Sequence, residues 1–216
     1  MKYAALFLLL GASLTLLAAQ FVISNAGSPA ATVGAVLTGW TGIAFAAVGA
    51  AYAGLGPRVF GKQADGTLAW PRVLLLAPYL LLTLALWHVQ RLVSREDPAN
   101  EIAPGLWLGR WPRRGARELP PDTGLIVDLA AELAVASDLR RSDGRRTFFA
   151  LPTLDASTPE DPVVFDRAVR AVAETLPKTP VYVHCALGHG RSALLVAAVL
   201  LARGAAASAE EAEARV

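Results

Sequence analysis

Charged side chains are almost missing from the first 90 residues of this 216-residue chain, and this pattern constrains the fold more than any other feature. The charged residues there are Lys2, Arg58, Lys62, Asp65 and Arg72. By contrast, residues 91–216 hold 16 Lys and Arg and 17 Asp and Glu. About 20 consecutive apolar residues are enough to cross a bilayer as a helix. We therefore predict a membrane region over 1–93, a linker over 94–101 and a soluble domain over 102–216.

Three segments of the first region fit membrane-crossing helices: Tyr3–Ile23, Ala30–Leu55 and Val73–Gln90. The first also fits a cleaved signal peptide, since Lys2 provides a short basic start and the small residues at 24–26 offer a cleavage site. Its length favours an uncleaved helix. Three crossings would put the N-terminus and the soluble domain on opposite sides of a membrane, and the flanking cations are too evenly divided to decide the orientation.

Two patterns within these segments predict how the helices pack. In the second segment small residues recur every four positions, which would let another helix approach closely, although a weakly hydrophobic span would have the same composition. These residues are Thr38, Gly42, Ala46, Ala50 and Gly54. In the third segment Pro78 predicts a kink of the kind that neighbouring helices tolerate in membranes. Trp70, Trp87 and His88 lie near its ends, where interfacial side chains are expected.

Strands and helices alternate in the soluble part, which predicts an α/β fold with a mostly parallel central sheet flanked by helices. The predicted elements are a strand pair around Leu106–Leu108, a strand at Leu125–Leu129, an alanine-rich helix to about Leu139, a strand ended by Pro152, a helix from Pro162 to about Leu176, a strand before Cys185, a helix over Ser192–Ala202 and a last helix after Ser208. Asp161 and Ser208 precede helices as capping residues, the latter with Glu211 in a capping-box pattern.

The single cysteine stands between a predicted strand and a predicted helix, in VYVHCALGHGRSALL at 181–195. Amide groups at the start of a helix have no helical partner, so a glycine-containing loop there is a typical anion site. We expect Gly188 and Gly190 to allow the turns that direct these amides inward, and Arg191 to hold two oxygens of a phosphate. Cys185 would face the same anion as a thiolate stabilised by that positive field. One cysteine allows neither an internal disulfide nor a cysteine metal cluster, and we expect no metal and no cofactor.

This segment has the form Cys-x5-Arg, with His184 before the cysteine and Ser192 after the arginine, and it resembles the signature of the protein tyrosine phosphatase superfamily. GLWLGR, LIVDLAAE and LPTLDAST resemble the early strands and the acid loop of its dual-specificity branch, so the resemblance covers about 102–212. It implies a dual-specificity phosphatase-like fold and a phosphocysteine formed by Cys185. A buried structural cysteine in an ordinary strand–helix turn is the alternative interpretation.

The resemblance also implies roles for the neighbours of Cys185. Ser192 would hydrogen-bond the sulfur and ease its departure, and His184 would orient the loop and tune the thiolate. Backbone amides and one guanidinium would hold the phosphoryl oxygens. The phosphate-binding residues would be Ala186, Leu187, Gly188, His189, Gly190 and Arg191. His189 belongs to the variable part of the loop, where it either lines the mouth of the pocket or is simply exposed.

Hydrolysis also needs an acid that protonates the leaving group. The resemblance implies an aspartate on a loop some thirty residues before the cysteine, and Asp155 stands 30 residues before Cys185, directly after a predicted strand. Asp161 precedes Pro162 and is better explained as a helix cap. Asp143 lies in a predicted turn.

These motifs predict a phosphoric monoester hydrolase held at a lipid bilayer. The pattern is most similar to the mitochondrial phosphatidylglycerophosphate phosphatases of the dual-specificity type and their membrane-linked bacterial relatives. This implies a lipid phosphate, such as phosphatidylglycerophosphate or a phosphoinositide, as the substrate. Two arginine clusters would face anionic lipid, unless they are ordinary solvated charges. They are Arg110, Arg113, Arg114 and Arg117, and Arg140, Arg141, Arg145 and Arg146.

Two other function classes remain open: a phosphatase acting on phosphotyrosine, phosphoserine or phosphothreonine in proteins, and a non-catalytic phosphate-binding scaffold. A thiol redox or arsenate-type enzyme usually needs further cysteines. The net charge of +2 gives no reason to expect a nucleic acid partner, and the oligomeric state is not predicted. A reactive thiolate survives better in a reducing compartment. We therefore expect a multi-pass protein of the inner membrane with its catalytic domain in the cytoplasm.

Overall fold

The chain forms two compact units in the computed structural model, which describes residues 2–24, 28–140 and 146–216. The first unit is Met1–Gly61 with Leu68–Leu92, and the second is Lys62–Thr67 with Val93–Val216. Six residues between the second and third apolar segments, Lys62–Thr67, thus belong with the polar part of the chain. The sequence patterns do not predict this.

Long apolar helices make up the first unit. They are α1 (Lys2–Ser24), α2 (Pro29–Ala50) and α3 (Trp70–Val93). A π-helical turn at Ala51–Leu55 extends α2, and a 3-10 helix follows at Pro57–Phe60. Among the described residues, three helices are long and apolar enough to cross a bilayer, namely α1, α2 counted through Leu55, and α3.

α1 and α2 approach each other closely along a face of small residues. A Cβ atom added to Gly11 would lie 2.6 Å from the backbone nitrogen of Ala46, and one added to Gly42 would lie 2.8 Å from the carbonyl oxygen of Gly11. Neither position has room for a side chain. The predicted helix-contact face is confirmed at Gly42 and Ala46, whereas Gly54 lies beyond α2 with a φ of 125°.

A side chain of α2 compensates for the proline in α3. Pro78 has no amide proton, so the carbonyl group of Leu74 loses its helical donor. The indole Nε1 of Trp40 donates to the carbonyl oxygens of Leu74 and Leu75, at 3.1 Å in each case. A proline within an apolar helix is tolerated when a neighbouring helix supplies the missing donor in this way.

The second unit is built on a five-stranded sheet of order β1-β2-β5-β3-β4. The strands are β1 (Ala99–Ala103), β2 (Leu106–Gly109), β3 (Leu125–Ala130), β4 (Thr147–Thr153) and β5 (Val181–His184). The pairs β2–β5, β3–β5 and β3–β4 are parallel, and β1–β2 is antiparallel. The predicted α/β class is confirmed, but the sheet is mixed because the strand pair around Leu106 forms a hairpin at one edge. β1 also takes up the end of the segment 94–101 that we predicted as a linker.

Two local predictions differ from the structure. β4 continues through Pro152 to Thr153, because β4 is an edge strand and a residue without an amide proton is tolerated there. The alanine-rich run after β3 does not form the predicted helix, and only α4 (Ser137–Arg140) is helical. Residues 131–136 form bends and irregular backbone instead.

Three longer predicted helices are present at the expected places: α5 (Pro162–Thr175), α6 (Gly190–Ala202) and α7 (Ala209–Ala214). Asp161 caps α5 by accepting from the amides of Val163 and Val164 at 2.8 and 3.2 Å, and Ser208 caps α7. The main core lies between one face of the sheet and these helices. It includes Val127, Leu129, Val169, Val172, Val183, Leu195, Val196 and Val199.

Candidate active site

The central strand, β5, ends directly before Cys185, and α6 begins five residues later at Gly190. Gly188 turns the loop between them with a φ of 90°, and a Cβ added there would lie 2.8 Å from the carbonyl carbon of Gly109. Glycine is therefore required at 188 by backbone conformation and by space. Gly190 has no positive φ, and an added Cβ there would meet no atom within 4 Å. The structure therefore does not require glycine at 190, contrary to our expectation.

The sulfur of Cys185 is buried and accepts two hydrogen bonds. The backbone amide of Gly188 and the hydroxyl of Ser192 each donate to Sγ at 3.3 Å. Ser192 Oγ thus lies where its implied role requires it.

Arg191 is held by a carboxylate that the sequence analysis did not identify. Its Nη1 and Nη2 donate to Glu132 Oε2 and Oε1 at 2.8 Å each, and Nη1 also donates to the carbonyl oxygen of Thr153 at 3.0 Å. Burial opposes the charge of Arg191, but the carboxylates of Glu132 and Asp155, together with Cys185, keep the pKa of its guanidinium above its usual value. The buried Nε atom has no hydrogen-bond partner among the described residues.

The predicted acid, Asp155, lies beside this arginine. Its Oδ1 is 3.3 Å from Arg191 Nη2, and its side chain is 74% exposed. Asp161 is engaged as the cap of α5, as predicted. Asp143 lies outside the described residues. Of the three aspartates considered, Asp155 is thus the one that the structure shows next to the signature loop.

His184 is fully buried beneath the loop. Its Nδ1 lies 3.2 Å from the carbonyl oxygen of Cys185 and 3.8 Å from Asp128 Oδ1. Burial lowers the pKa of His184, and Asp128 only partly opposes that effect. The neutral imidazole is therefore favoured, in a position to orient the loop. Its Nε2 has no hydrogen-bond partner within the described part of the chain.

His189 points away from this buried cluster. Its Nε2 lies 3.2 Å from Glu96 Oε2, and its side chain is 61% exposed. It lines a cavity of about 280 Å³ together with Glu96, Leu187 and Arg110. The sequence left open whether His189 is exposed or lines the mouth of a pocket. In the structure it is exposed and also lines a cavity beside the loop.

The predicted arginine clusters are described in part. Arg113, Arg114 and Arg117 are exposed after β2, and Arg140 is exposed at the end of α4. Arg141 and Arg145 lie outside the described residues.

Three residues that surround the site were missed by sequence reasoning: Glu132, Asp128 and Lys62. Glu132 and Asp128 are charged residues inside an otherwise apolar run, LIVDLAAELAV, and both are buried. A charged residue in such a run is buried only when it is paired, and this signal was available in the sequence. Lys62 Nζ lies 2.5 Å from Asp128 Oδ2, and no local pattern predicts that pairing across 66 positions.

Residues 122–215 match the family model described as PTP-SAK, a Swiss Army Knife protein with a DSP-PTPase phosphatase domain. This segment is thus similar to phosphatase domains of the dual-specificity type. The matched segment contains Cys185, Arg191, Asp155 and Glu132. It includes three of the five strands, β3, β4 and β5, and the hairpin of β1 and β2 lies outside the match. The prediction of a phosphoric monoester hydrolase is confirmed.

Several solved structures resemble the phosphatase domain. Tk-PTP in its active form is 26% identical over 55% of this chain and 81% of its own, with a TM-score of 0.46. A mouse putative dual specificity phosphatase complexed with zinc tungstate is 22% identical over 56% and 75%, with a TM-score of 0.45. The human tyrosine phosphatase-like serine/threonine/tyrosine-interacting protein is 21% identical over 56% and 83%, with a TM-score of 0.46. No curated protein matches the chain.

Proposed function

We propose that the protein is a membrane-anchored phosphatase that hydrolyses lipid phosphate monoesters through a phosphocysteine. The observation that carries this proposal is that one loop holds two groups. The sulfur of Cys185 accepts hydrogen bonds at its start, and Glu132 fixes the guanidinium of Arg191 at its end. Arg191 keeps its Nε–H without a protein acceptor among the described residues. That donor is suited to an oxygen of an incoming phosphate.

The first step transfers the phosphoryl group to sulfur. The Cys185 thiolate attacks phosphorus, the new S–P bond forms, and the P–O bond to the leaving group breaks. Asp155 donates its proton to the departing oxygen, so the product leaves as an alcohol. Arg191 and the loop amides hold the three remaining oxygens as charge shifts among them.

The second step returns the enzyme to its starting state. Asp155, now a carboxylate, removes a proton from water, whose oxygen attacks phosphorus as the S–P bond breaks. Inorganic phosphate leaves, and Cys185 is again a thiolate. Ser192, 3.3 Å from the sulfur, stabilises that thiolate as it departs.

A lipid substrate is supported by the apolar helices and by exposed cations. α1, α2 and α3 are each long and apolar enough to cross a bilayer, so the site is tethered near lipid headgroups and its effective concentration there is high. Arg113, Arg114 and Arg117 are exposed in the second unit and are suited to anionic lipid. We propose phosphatidylglycerophosphate or a phosphoinositide as the substrate, and the cytoplasmic face of the inner membrane as the location.

The test is a substrate panel assayed with the full chain in lipid vesicles. Phosphatidylglycerophosphate, phosphoinositides and phosphopeptides are compared by kcat/KM, with Cys185→Ser as the inactive control. A preference for a lipid supports the proposal. A preference for a phosphopeptide would show that the substrates are phosphoproteins and not lipids. A radiolabelled phosphocysteine that accumulates in Asp155→Ala supports the covalent route. Binding of phospholigands without turnover by the wild type would instead identify a scaffold.

A further inference from the structure

Lys62 precedes α3 in the chain, yet its side chain is buried in the second unit. Its Nζ donates to Asp128 Oδ2 at 2.5 Å and to the carbonyl oxygens of Ala130 and Leu133 at 2.6 and 2.5 Å. The side chains of Lys62 and Asp128 are both 0% exposed. An ammonium group has three donors, and each donor here has an acceptor. A buried ion pair is tolerated when its remaining hydrogen-bonding groups are satisfied in this way.

The acceptors of Lys62 surround the residue that fixes the catalytic arginine. Ala130 and Leu133 stand on either side of Glu132, whose carboxylate binds Arg191 through two hydrogen bonds. Asp128 Oδ1 accepts from the amide of Ala130 at 2.9 Å, so both ends of this short turn are fastened. Lys62 thereby holds the backbone that presents Glu132.

We propose that Lys62 is a positioning residue of the phosphatase site, supplied by the loop between α2 and α3. It does not touch the substrate. It acts through the turn at 130–133 on Glu132, and through Glu132 on Arg191. This inference rests on the proposed phosphatase function and adds a residue on which that function depends.

The same contact restricts how the chain crosses a membrane. Lys62 reaches Asp128 only if the loop at 62–67 and the catalytic domain lie on one face of the bilayer. α3 connects these two parts, so an α3 that crossed the bilayer would separate them. It follows that α1 and α2 cross as a hairpin and that α3 does not separate the loop at 62–67 from the catalytic domain.

The charge pattern independently agrees with this arrangement. With α1 and α2 as the two crossings, the cations that flank the apolar helices all fall on one face. They are Lys2, Arg58, Lys62, Arg72, Arg91 and Arg95. The loop on the other face, 25–28, has no charged residue. Positive charges flanking membrane helices mark the cytoplasmic side, which places the catalytic domain in the cytoplasm.

Cysteine labelling in intact cells tests the shared face directly. In full-length Cys185→Ser, one cysteine is introduced by Ala64→Cys, Ser94→Cys or Ser28→Cys and treated with a maleimide that cannot cross membranes. Positions 64 and 94 should react only after permeabilisation, and position 28 should react in intact cells. Reaction of 64 and 94 from opposite faces overturns the proposal, and reaction of all three from one face overturns the hairpin. The result does not depend on whether the protein is an active phosphatase, which the wild-type assay tests separately.

The positioning role is tested by Lys62→Met, with exposed Lys178→Met as the matched control. We expect kcat/KM to fall on the order of tenfold to hundredfold, as for a small displacement of a catalytic group, and the Kd of the oxyanion tungstate to rise with it. Lys178→Met should match the wild type. Lys62→Met combined with Asp128→Asn removes the unpaired buried charge, and we expect this double variant to fold, as circular dichroism can check. Wild-type kcat/KM in that folded double variant would overturn the role.

A double-mutant cycle separates positioning from a general loss of stability. If Lys62 acts through Glu132, Lys62→Met should lower kcat/KM by less than about threefold when Glu132→Gln is already present. A purely structural lysine would instead lower it by the same factor in both backgrounds, and that result would contradict the proposed route.

Discussion

Arg191 and Glu132 form a buried ion pair in which two guanidinium nitrogens each lie 2.8 Å from one carboxylate oxygen. This geometry fixes the plane of the guanidinium before any ligand arrives. A pre-oriented donor stabilises a transition state without reorganising during the reaction. The pair therefore matters to catalysis through the position of Arg191, although Glu132 itself touches no phosphate.

Replacing the Glu132 carboxylate should weaken catalysis, although Glu132 does not touch the substrate. Glu132→Gln keeps the shape of the side chain but removes its charge and turns an amide NH₂ toward Arg191. We expect kcat/KM to fall about tenfold to hundredfold, because a misplaced guanidinium holds the phosphoryl oxygens poorly. Tungstate inhibition measured in parallel should weaken. Exposed Glu174→Gln is the control, and equal kinetics for the two variants would show that the pair is not needed.

The role of Asp155 predicts a dependence on the leaving group. Asp155→Asn should lower kcat about 10²- to 10⁴-fold on alkyl phosphates, whose alkoxide must be protonated as it departs. The loss on p-nitrophenyl phosphate should be much smaller, because that leaving group is stable as an anion. Asp161→Asn tests the competing candidate. Asparagine caps a helix about as well as aspartate does, so this variant should keep the stability and the leaving-group dependence of the wild type. An equal loss on both substrates would remove Asp155 from the acid role.

Local patterns account for what could be predicted from the sequence. The strand, glycine turn and helix around Cys185 lie within about 20 consecutive residues, and each can be recognised from its residue types and their spacing. The cap at Asp161 and the small-residue face at Gly42 are equally local. Such features can be recognised without knowing which distant segments meet.

The missed residues depend on contacts between distant parts of the chain. Glu132 and Arg191 are 59 positions apart, and Lys62 and Asp128 are 66 apart. Neither pair has a spacing that a helix or strand period would reveal. The predicted helix after β3 was wrong for the same reason: propensity favours a helix in an alanine-rich run, but residues 130–133 are held in a turn by Lys62.

The turn at Gly188 should not accept a side chain. Gly188→Ala forces a Cβ to 2.8 Å from the carbonyl carbon of Gly109 and holds alanine at a φ of 90°. We expect a loss of about 1–3 kcal/mol in the free energy of unfolding and a displaced amide that no longer donates to the sulfur. Gly190→Ala is the matched control for stability, since an added Cβ there meets no atom within 4 Å. Chemical unfolding of the two variants provides the comparison, and equal stabilities would contradict the role given to Gly188.

The buried imidazole of His184 should make the stability of the second unit fall in mild acid. Burial holds the pKa of His184 below its ordinary value of 6.5, so the folded state resists a proton that the unfolded chain accepts. The contribution of the neutral ring is fully present above pH 6.5 and is lost as the pH falls toward the lower pKa of the folded state. The slope can reach about 1.4 kcal/mol per pH unit.

Urea unfolding of the full chain in detergent, followed from about pH 7.5 to 5.5, measures this slope. His184→Asn should reduce it, because the side chain that takes up the proton in the unfolded state is gone. His189→Asn changes an exposed histidine of the same loop and should keep the wild-type slope. If His184→Asn and the wild type lose stability in parallel, the acid sensitivity arises elsewhere. The stability of the folded state would then not depend on a neutral His184 beneath the catalytic loop.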